Sequence, residues 1–344
     1  MTKYTLPPLR PELAVCPNSG CDATGRIGIH SHRERRYICH ACKQTFADTT
    51  GTMLYGLKHP LWLVLLVLTL LAYGCPTQAI VTTFDLDERT VADWQRKAGR
   101  HAKTVQEQVV CQGNVDLGQV QADELYTKTQ AGPLWVATAM TVFSRLHPEG
   151  TRWGAIGWQR DAALITPVIE HTRAAGRPGQ PILFAVDGFR AYVSCILKVF
   201  RNPVHTGKPG RPPLIVWADL HIVQVVKQRA SRRLVSITRR LAHGSLARAE
   251  AIMQMTQVEI GRINTAYIER LNATLRTWMP ALVRRTRTPS GARAQLEAAL
   301  FWTGCVYNFC HVHATLAGTP AMAADLSDHV WSIDELIRYR CRRT

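Results

Sequence analysis

A chain of 344 residues with 46% hydrophobic and 19% charged residues carries enough apolar material for packed cores, which excludes a disordered polymer and fits two or three folding units. Forty-two Lys and Arg stand against 25 Asp and Glu, a net charge of +17 that calls for a polyanionic partner, nucleic acid ahead of an acidic membrane surface. The ten cysteines are spread thinly except for four before residue 43, the pattern of a metal site in a reducing compartment rather than of a secreted disulfide scaffold. The opening MTKYTLPPLRPEL has no apolar export segment, and Leu61 to Ala72 falls short of the roughly 20 residues of a spanning helix, so no membrane partner is expected.

Residues 1–55 read as a zinc ribbon. Cys16 and Cys21 form one pair and Cys39 and Cys42 another, and two such turns can close a tetrahedral Zn²⁺ site of structural type. His40, inside the second pair, is a rival ligand. Arg33, Arg35, Arg36 and Lys43 are expected to project from this unit towards phosphate. Residues 56–115 then read as helix-turn-helix: Leu61 to Ala72 stopped by Gly74, Cys75 and Pro76, a short helix Thr77 to Phe84, a turn at Asp85 to Asp87, and a basic helix Arg89 to His101. Arg89, Gln95, Arg96, Lys97 and Arg100 are its candidate DNA contacts. Val105 to Asp116 has little pattern and reads as a connection.

From residue 116 to 282 the pattern is α/β. Val120 to Tyr126, Leu134 to Phe143 and Arg152 to Gln159 read as a three-strand meander, Asp161 to Ala175 as a helix, and Ile182 to Val186 as a buried central strand followed by the helix-like FRAYVSCILKVF. A basic insertion spans about 201–245. It holds the GKPGRPP loop, Gly207 to Pro213, which suits a linker better than a minor-groove element, then strand-like Leu214 to Val226. Arg229, Arg232, Arg233, Arg239 and Arg240 follow with few acids nearby, and DNA phosphate would supply their counter-charge.

Carboxylates at strand ends are costly unless paired or metal-bound. Asp123 lies in the first strand and Asp187 ends ILFAV; neighbouring strands can bring both to one edge, where a hard divalent cation would bind. In Ile263 to Met279, the residues Ile268, Leu271, Leu275 and Met279 form a buried helical stripe, while Glu269, Asn272 and Arg276 share another face suited to a metal ligand beside phosphate-holding groups, with Arg270 and Asn264 nearby.

QADELY around Asp123, VDGFRAY around Asp187 and NTAYIERLNATLR around Glu269 resemble the DDE-type transposases of bacterial insertion sequences, closest to the family typified by insertion sequence one. The order of zinc ribbon and helix-turn-helix, and the tail from Tyr307-Asn308-Phe309 to Thr319-Pro320-Ala321-Met322, extend the likeness over nearly the whole chain, with Tyr126 departing from the family's usual tryptophan. The resemblance implies an RNase H-like core, Asp123, Asp187 and Glu269 as a triad holding two Mg²⁺ (or Mn²⁺) ions, one structural Zn²⁺, and cleavage and joining of double-stranded DNA at element ends and target. It further implies a homodimer or larger assembly on DNA and a cytoplasmic, nucleoid-associated location. Arg270, Asn272 and Arg276 would contact DNA beside the triad.

The long interval between Asp187 and Glu269 leaves Asp219 and Glu259 as rivals, with Asp116 an outsider; Glu124 should point to the opposite side of its strand and is the weaker first acid. A regulator with an inactive core, or an RNase H-like nuclease or resolvase, are the competing functions. Residues 283–344 read as a helical region, in which Cys305, Cys310, His311 and His313 are expected to pack rather than bind metal. His221 is expected to be satisfied and buried.

Overall fold

The structure is a computed structural model and describes residues 8–21, 26–147, 156–205, 207, 210–231, 233–256, 261–283 and 290–341. The rival acid Glu259, Arg232, and Lys208 and Pro209 of the basic loop lie outside the described residues.

The N-terminal unit is a three-stranded antiparallel sheet, β1 (Ile27–Ser31), β2 (Arg36–Cys39) and β3 (Thr45–Ala47). Tyr37 and Phe46 are cross-strand partners with ring centroids 5.7 Å apart, and with Ala14 and Cys39 they make up the unit's buried core. So small a core needs another staple. Arg35 pairs with Asp48 at 2.6 Å and Arg36 donates to the Thr45 hydroxyl at 2.9 Å, so these two serve the sheet, whereas Arg33 and Lys43 remain exposed.

Three helices follow: α1 (Leu61–Ala72), α2 (Thr77–Phe84) and α3 (Glu88–Val105). The first ends before Gly74 and Pro76, and the second at Asp85, which takes the left-handed conformation at φ +51° in the expected turn. The third begins where the Asp87 side chain accepts from the Arg89 and Thr90 amides, an N-cap. It runs on into a π-helical turn at Gln106–Val110, so the expected connection is helical; buried Gln106 and Val110 hold that turn on the body.

The main sheet has six strands: β4 (Gln119–Thr129), β5 (Gly132–Thr141), β6 (Ile156–Gly157), β7 (Ile182–Val186), β10 (Leu220–Ala230) and β11 (Arg233–His243), with β8 (Arg201–Pro203) and β9 (Leu214–Val216) forming a separate ribbon. The order is β11-β10-β7-β4-β5-β6. β4, β5 and β6 form an antiparallel meander, β4, β7 and β10 run parallel, and β11 returns antiparallel at the edge. Residues 152–155 of the expected third strand lie outside the described residues. The arginine-rich run is thus half of a long hairpin, in which Arg239 donates to the Ile263 carbonyl at 2.6 Å and Arg240 to the Gln224 side chain.

Helices α4 (Ala162–Ala175) and α5 (Arg190–Val199) cover one face, packing Leu164, Ile165 and Ile196 on Val120, Ala122 and Phe184. On the other face α6 (Leu246–Thr256), a helix the sequence reading omitted, covers β7 and β10, and α7 (Ala266–Trp278) covers β4 and β5 through Ile268, Leu271 and Leu275. The last helices, α8 (Arg293–Phe309), α9 (Pro320–Ala323) and α10 (Ile333–Arg338), join the core that also holds α1 and α3. The chain is therefore an α/β protein with a mixed six-stranded sheet, flanking helices and an N-terminal four-cysteine cluster. No helix among the described residues is long and apolar enough to cross a membrane.

Candidate functional site

The site arises where a strand stops early. β7 ends at Val186, whose register partner on β4 is Ala122, so Asp123 and Glu124 have β5 on one side and no strand on the other. Strand alternation starts their side chains on opposite faces. At the open end both carboxyls reach the gap, and one oxygen from each lies within 4.8 Å of the others and of Asp187, the residue that leaves β7. Alternation alone makes Glu124 the weaker first acid, yet where β7 ends early its carboxyl joins those of Asp123 and Asp187.

Each acid is held by a different neighbour. The Asp123 carboxylate accepts from Asn272 Nδ2 at 3.0 Å, and Asn272 Oδ1 accepts from Thr138 at 2.9 Å, so Asn272, expected among the DNA contacts, is buried and spends both amide atoms inside the protein. The Asp187 carboxylate accepts from the Phe189 amide at 2.8 Å, the bond of a tight exit into α5. Arg160 bridges Glu124 at 2.9 Å and Asp187 at 2.6 Å, with its guanidinium 4.3 Å from the centre of the Phe189 ring. Burial, opposed by Arg160 and reinforced by Asp187, pushes the Glu124 carboxyl up to about 7. Burial and the nearby Asp187 and Glu269 raise Asp123 as well, against the lowering effect of Asn272 and the Glu124 backbone amide.

Glu269 lines the same cleft, about 1010 Å³ in volume, but stands outside the close group of three acids. It accepts from the Thr265 hydroxyl at 2.8 Å and pairs with Lys227 of β10. Arg276 lines the cleft too, whereas Arg270 turns into a different cavity. The helix α7 is fixed by a residue with no sequence signal of its own. Buried Gln121, two positions before Asp123 on the same face, accepts from the Tyr267 and Ile268 amides at 3.0 and 2.9 Å and donates to the Asn264 carbonyl at 2.7 Å. One side chain on the central strand thereby satisfies the start of the helix that carries Glu269 and Asn272.

The rivals lie elsewhere. Asp219 precedes β10, whose first residue pairs with Ile182 at the start of β7, the end opposite Asp187; it is tied to Arg248 at 2.8 Å and to buried His221 at 2.8 Å. Asp116 accepts from the Gly118 amide in a turn before β4.

The four cysteine sulfurs also lie within 4.8 Å of one another, with Cys16 and Cys42 at 3.5 Å and Cys21 and Cys39 at 3.7 Å. A tetrahedron with Zn–S bonds of about 2.3 Å has edges of about 3.8 Å, close to these two separations. The Gln44 amide holds the Cys42 thiol down to about 7 while burial pushes its neighbour Cys16 up to about 12, and exposed His40 lies outside the close group of four sulfurs. This cluster could hold zinc. The oxygen-only group Asp123, Glu124 and Asp187 suits a hard cation instead.

On α3 the exposed stripe is Arg89, Asp93, Arg96 and Arg100, with Arg96 paired to Asp93. Gln95 accepts from Gln295 at 2.5 Å and Lys97 donates to the Tyr55 carbonyl, so these two expected contacts face the protein. No family model matches the chain, and no curated protein matches it.

Proposed function

We propose that the chain is a DDE-type transposase of an insertion sequence, with an RNase H-like core that cleaves and joins DNA strands at element ends. The observation that carries this reading is the meeting of Asp123, Glu124 and Asp187 at one end of the central strands, with Glu269 across the same cleft, in a chain of net charge +17. A meander, a helix and a parallel central strand that places an acid at its end also fit the expected core.

In this reading Asp123, Asp187 and Glu124 are the ligands for divalent metal, and Glu269 is a further acid that reaches the same cleft. When bound, Mg²⁺ or Mn²⁺ supplies Lewis-acid activation of an attacking hydroxyl and charge stabilisation at the leaving oxygen. Asn272 orients Asp123 and keeps its oxygen aimed at the gap. Arg276 and Lys227 line the cleft with positive charge and align a phosphodiester, while Arg160 bridges Glu124 and Asp187 and neutralises their repulsion. The cysteine unit is a zinc ribbon and α1 to α3 a helix-turn-helix, whose Arg89, Arg96 and Arg100 stripe meets DNA phosphate. Pairing of two element ends calls for a dimer or larger assembly on DNA, in a cytoplasmic, nucleoid-associated setting.

The test is a cleavage and joining assay on end-containing duplex with Mg²⁺ or Mn²⁺. Asp187→Asn should abolish both steps while leaving DNA binding within about twofold. Hydrolysis without joining points to a nuclease, and binding with no chemistry in the wild-type protein points to a regulator.

A further inference from the structure

On the far side of α7 from the acidic cleft lies a second cavity, about 70 Å³ in volume, whose charged lining is entirely basic. Arg145, Arg270, His311 and His313 converge on it, with the phenol of buried Tyr307 between them. No carboxylate lines it among the described residues. His311 packs on the Trp278 and Tyr307 rings and His313 shares a hydrogen bond through Nδ1 with the Thr315 hydroxyl, yet both are only half-buried and line this space.

The most telling group is Arg145. Its guanidinium lies 3.8 Å from the centre of the Tyr267 ring, and its backbone sits at φ +58°, a left-handed conformation that an arginine adopts at a cost. One donor goes to the Val142 carbonyl and the Tyr267 phenol takes another, which leaves others of its five N–H groups for a ligand. A half-buried guanidinium is normally matched with a carboxylate. Instead its charged neighbour is a second arginine, Arg270, and after burial it is Arg145, then His311 and Arg270, that depress the imidazole of His313. The cavity therefore concentrates positive charge with no carboxylate among its described lining residues to offset it. Its volume is roughly that of two waters at ~30 Å³ each, room for a single tetrahedral oxyanion.

We propose that this cavity is a phosphate-binding subsite, with Arg145 and Arg270 as the charged clamp and His311, His313 and Tyr307 as further donors. Its ligand is one phosphate group, and the net charge of +17 favours a phosphate of a nucleic-acid backbone over a free one. That choice of source rests on the DNA-binding reading above; the subsite itself does not. Because α7 separates the cavity from the acids, a strand held here would be anchored away from the point of chemistry.

The experiment titrates inorganic phosphate into the full-length protein and follows the histidine side-chain resonances by NMR, then measures duplex DNA affinity by anisotropy at several salt concentrations. Wild-type protein should show saturable shifts of His311 and His313. Arg270→Gln, at an exposed position, should weaken phosphate binding at least tenfold, His313→Gln should weaken it severalfold, and Asp187→Asn should leave it unchanged. Arg270→Gln should also lower duplex affinity about fivefold and reduce the slope of log affinity against log salt by about 0.9. Unshifted histidines, or equal phosphate affinity in Arg270→Gln, overturns the subsite. Phosphate binding lost in the variant with duplex affinity and slope intact overturns the nucleic-acid source and assigns a free phosphate. A wild-type protein that binds phosphate but no duplex refutes the DNA reading and leaves the subsite standing.

Discussion

Arg160 occupies the place between Glu124 and Asp187 that a cation would take, which makes Arg160→Met an informative perturbation. Methionine keeps much of the length stacked over Phe189 and removes the charge. The acid oxygens lie within 4.8 Å of one another, and two unit charges at that spacing repel by about 3.5 kcal/mol at an effective dielectric of about 20. Water reaches the Asp187 side chain, 37% exposed, so a loss of about 2 kcal/mol is the better expectation for the metal-free protein at pH 8. The loss should vanish below about pH 6, because burial already holds the Glu124 carboxyl up near 7 and its protonation removes the repulsion. Urea unfolding in EDTA and in millimolar Mn²⁺ reads both effects. Mn²⁺ should restore the variant by more than it stabilises the wild type, where metal has to displace a guanidinium. If the variant is as stable as wild type in EDTA at pH 8, or if Mn²⁺ stabilises both equally, Arg160 is not the counter-ion of an acidic metal site.

Elemental analysis should find about one Zn²⁺ per chain, and Cys39→Ser should lose it together with protection of the β1 to β3 amides from hydrogen exchange; wild-type protein without zinc rejects the ribbon. Gln121→Met should cost about 2–4 kcal/mol, because two helix amides and the Asn264 carbonyl lose their partner in a buried site, and a change below 0.5 kcal/mol in urea melts would contradict its role as the anchor of α7. Burial holds the imidazoles of His101 and His171 down to about 4, with the Leu336 carbonyl opposing it at His101 and Lys103 adding to it at His171. Both stay neutral in the fold while the unfolded chain takes up protons from about pH 6.5, so stability should fall as pH drops from about 6.5 to 4, by up to about 3 kcal/mol for each. His101→Gln should flatten that dependence; an unchanged slope refutes the assignment.

The sequence was most legible where local chemistry acted alone. The helix from Leu61 to Ala72 is bounded by Pro60 and by Gly74 at φ +86°, and the strand Ile182 to Val186 is apolar at every position because both its faces are covered. The cysteine pairs spelled out their own meeting. What escaped was set by tertiary contacts. Charge masked strand character in β11, where Arg239 and Arg240 alternate against β10 as an edge strand. Glu124 was misplaced because the length of a neighbouring strand, not its own alternation, decides what it reaches. Gln121 and Thr138 give no motif; only the packing of α7 over β4 and β5 reveals that they hold the helix and its asparagine.

The contact between α3 and α8 leaves no room for a single methyl group. A Cβ at Gly99 would lie 2.3 Å from the Ala298 carbonyl oxygen and 2.5 Å from its Cα, both backbone atoms that cannot step aside. Two rods pressed that tightly move as one piece, and α8 is in turn seated in the cores beneath the sheet. The basic outer ridge of α3 is therefore surveyed to the acids like a fence to a gatepost, and any duplex gripped there would arrive at the cleft with its distance already measured.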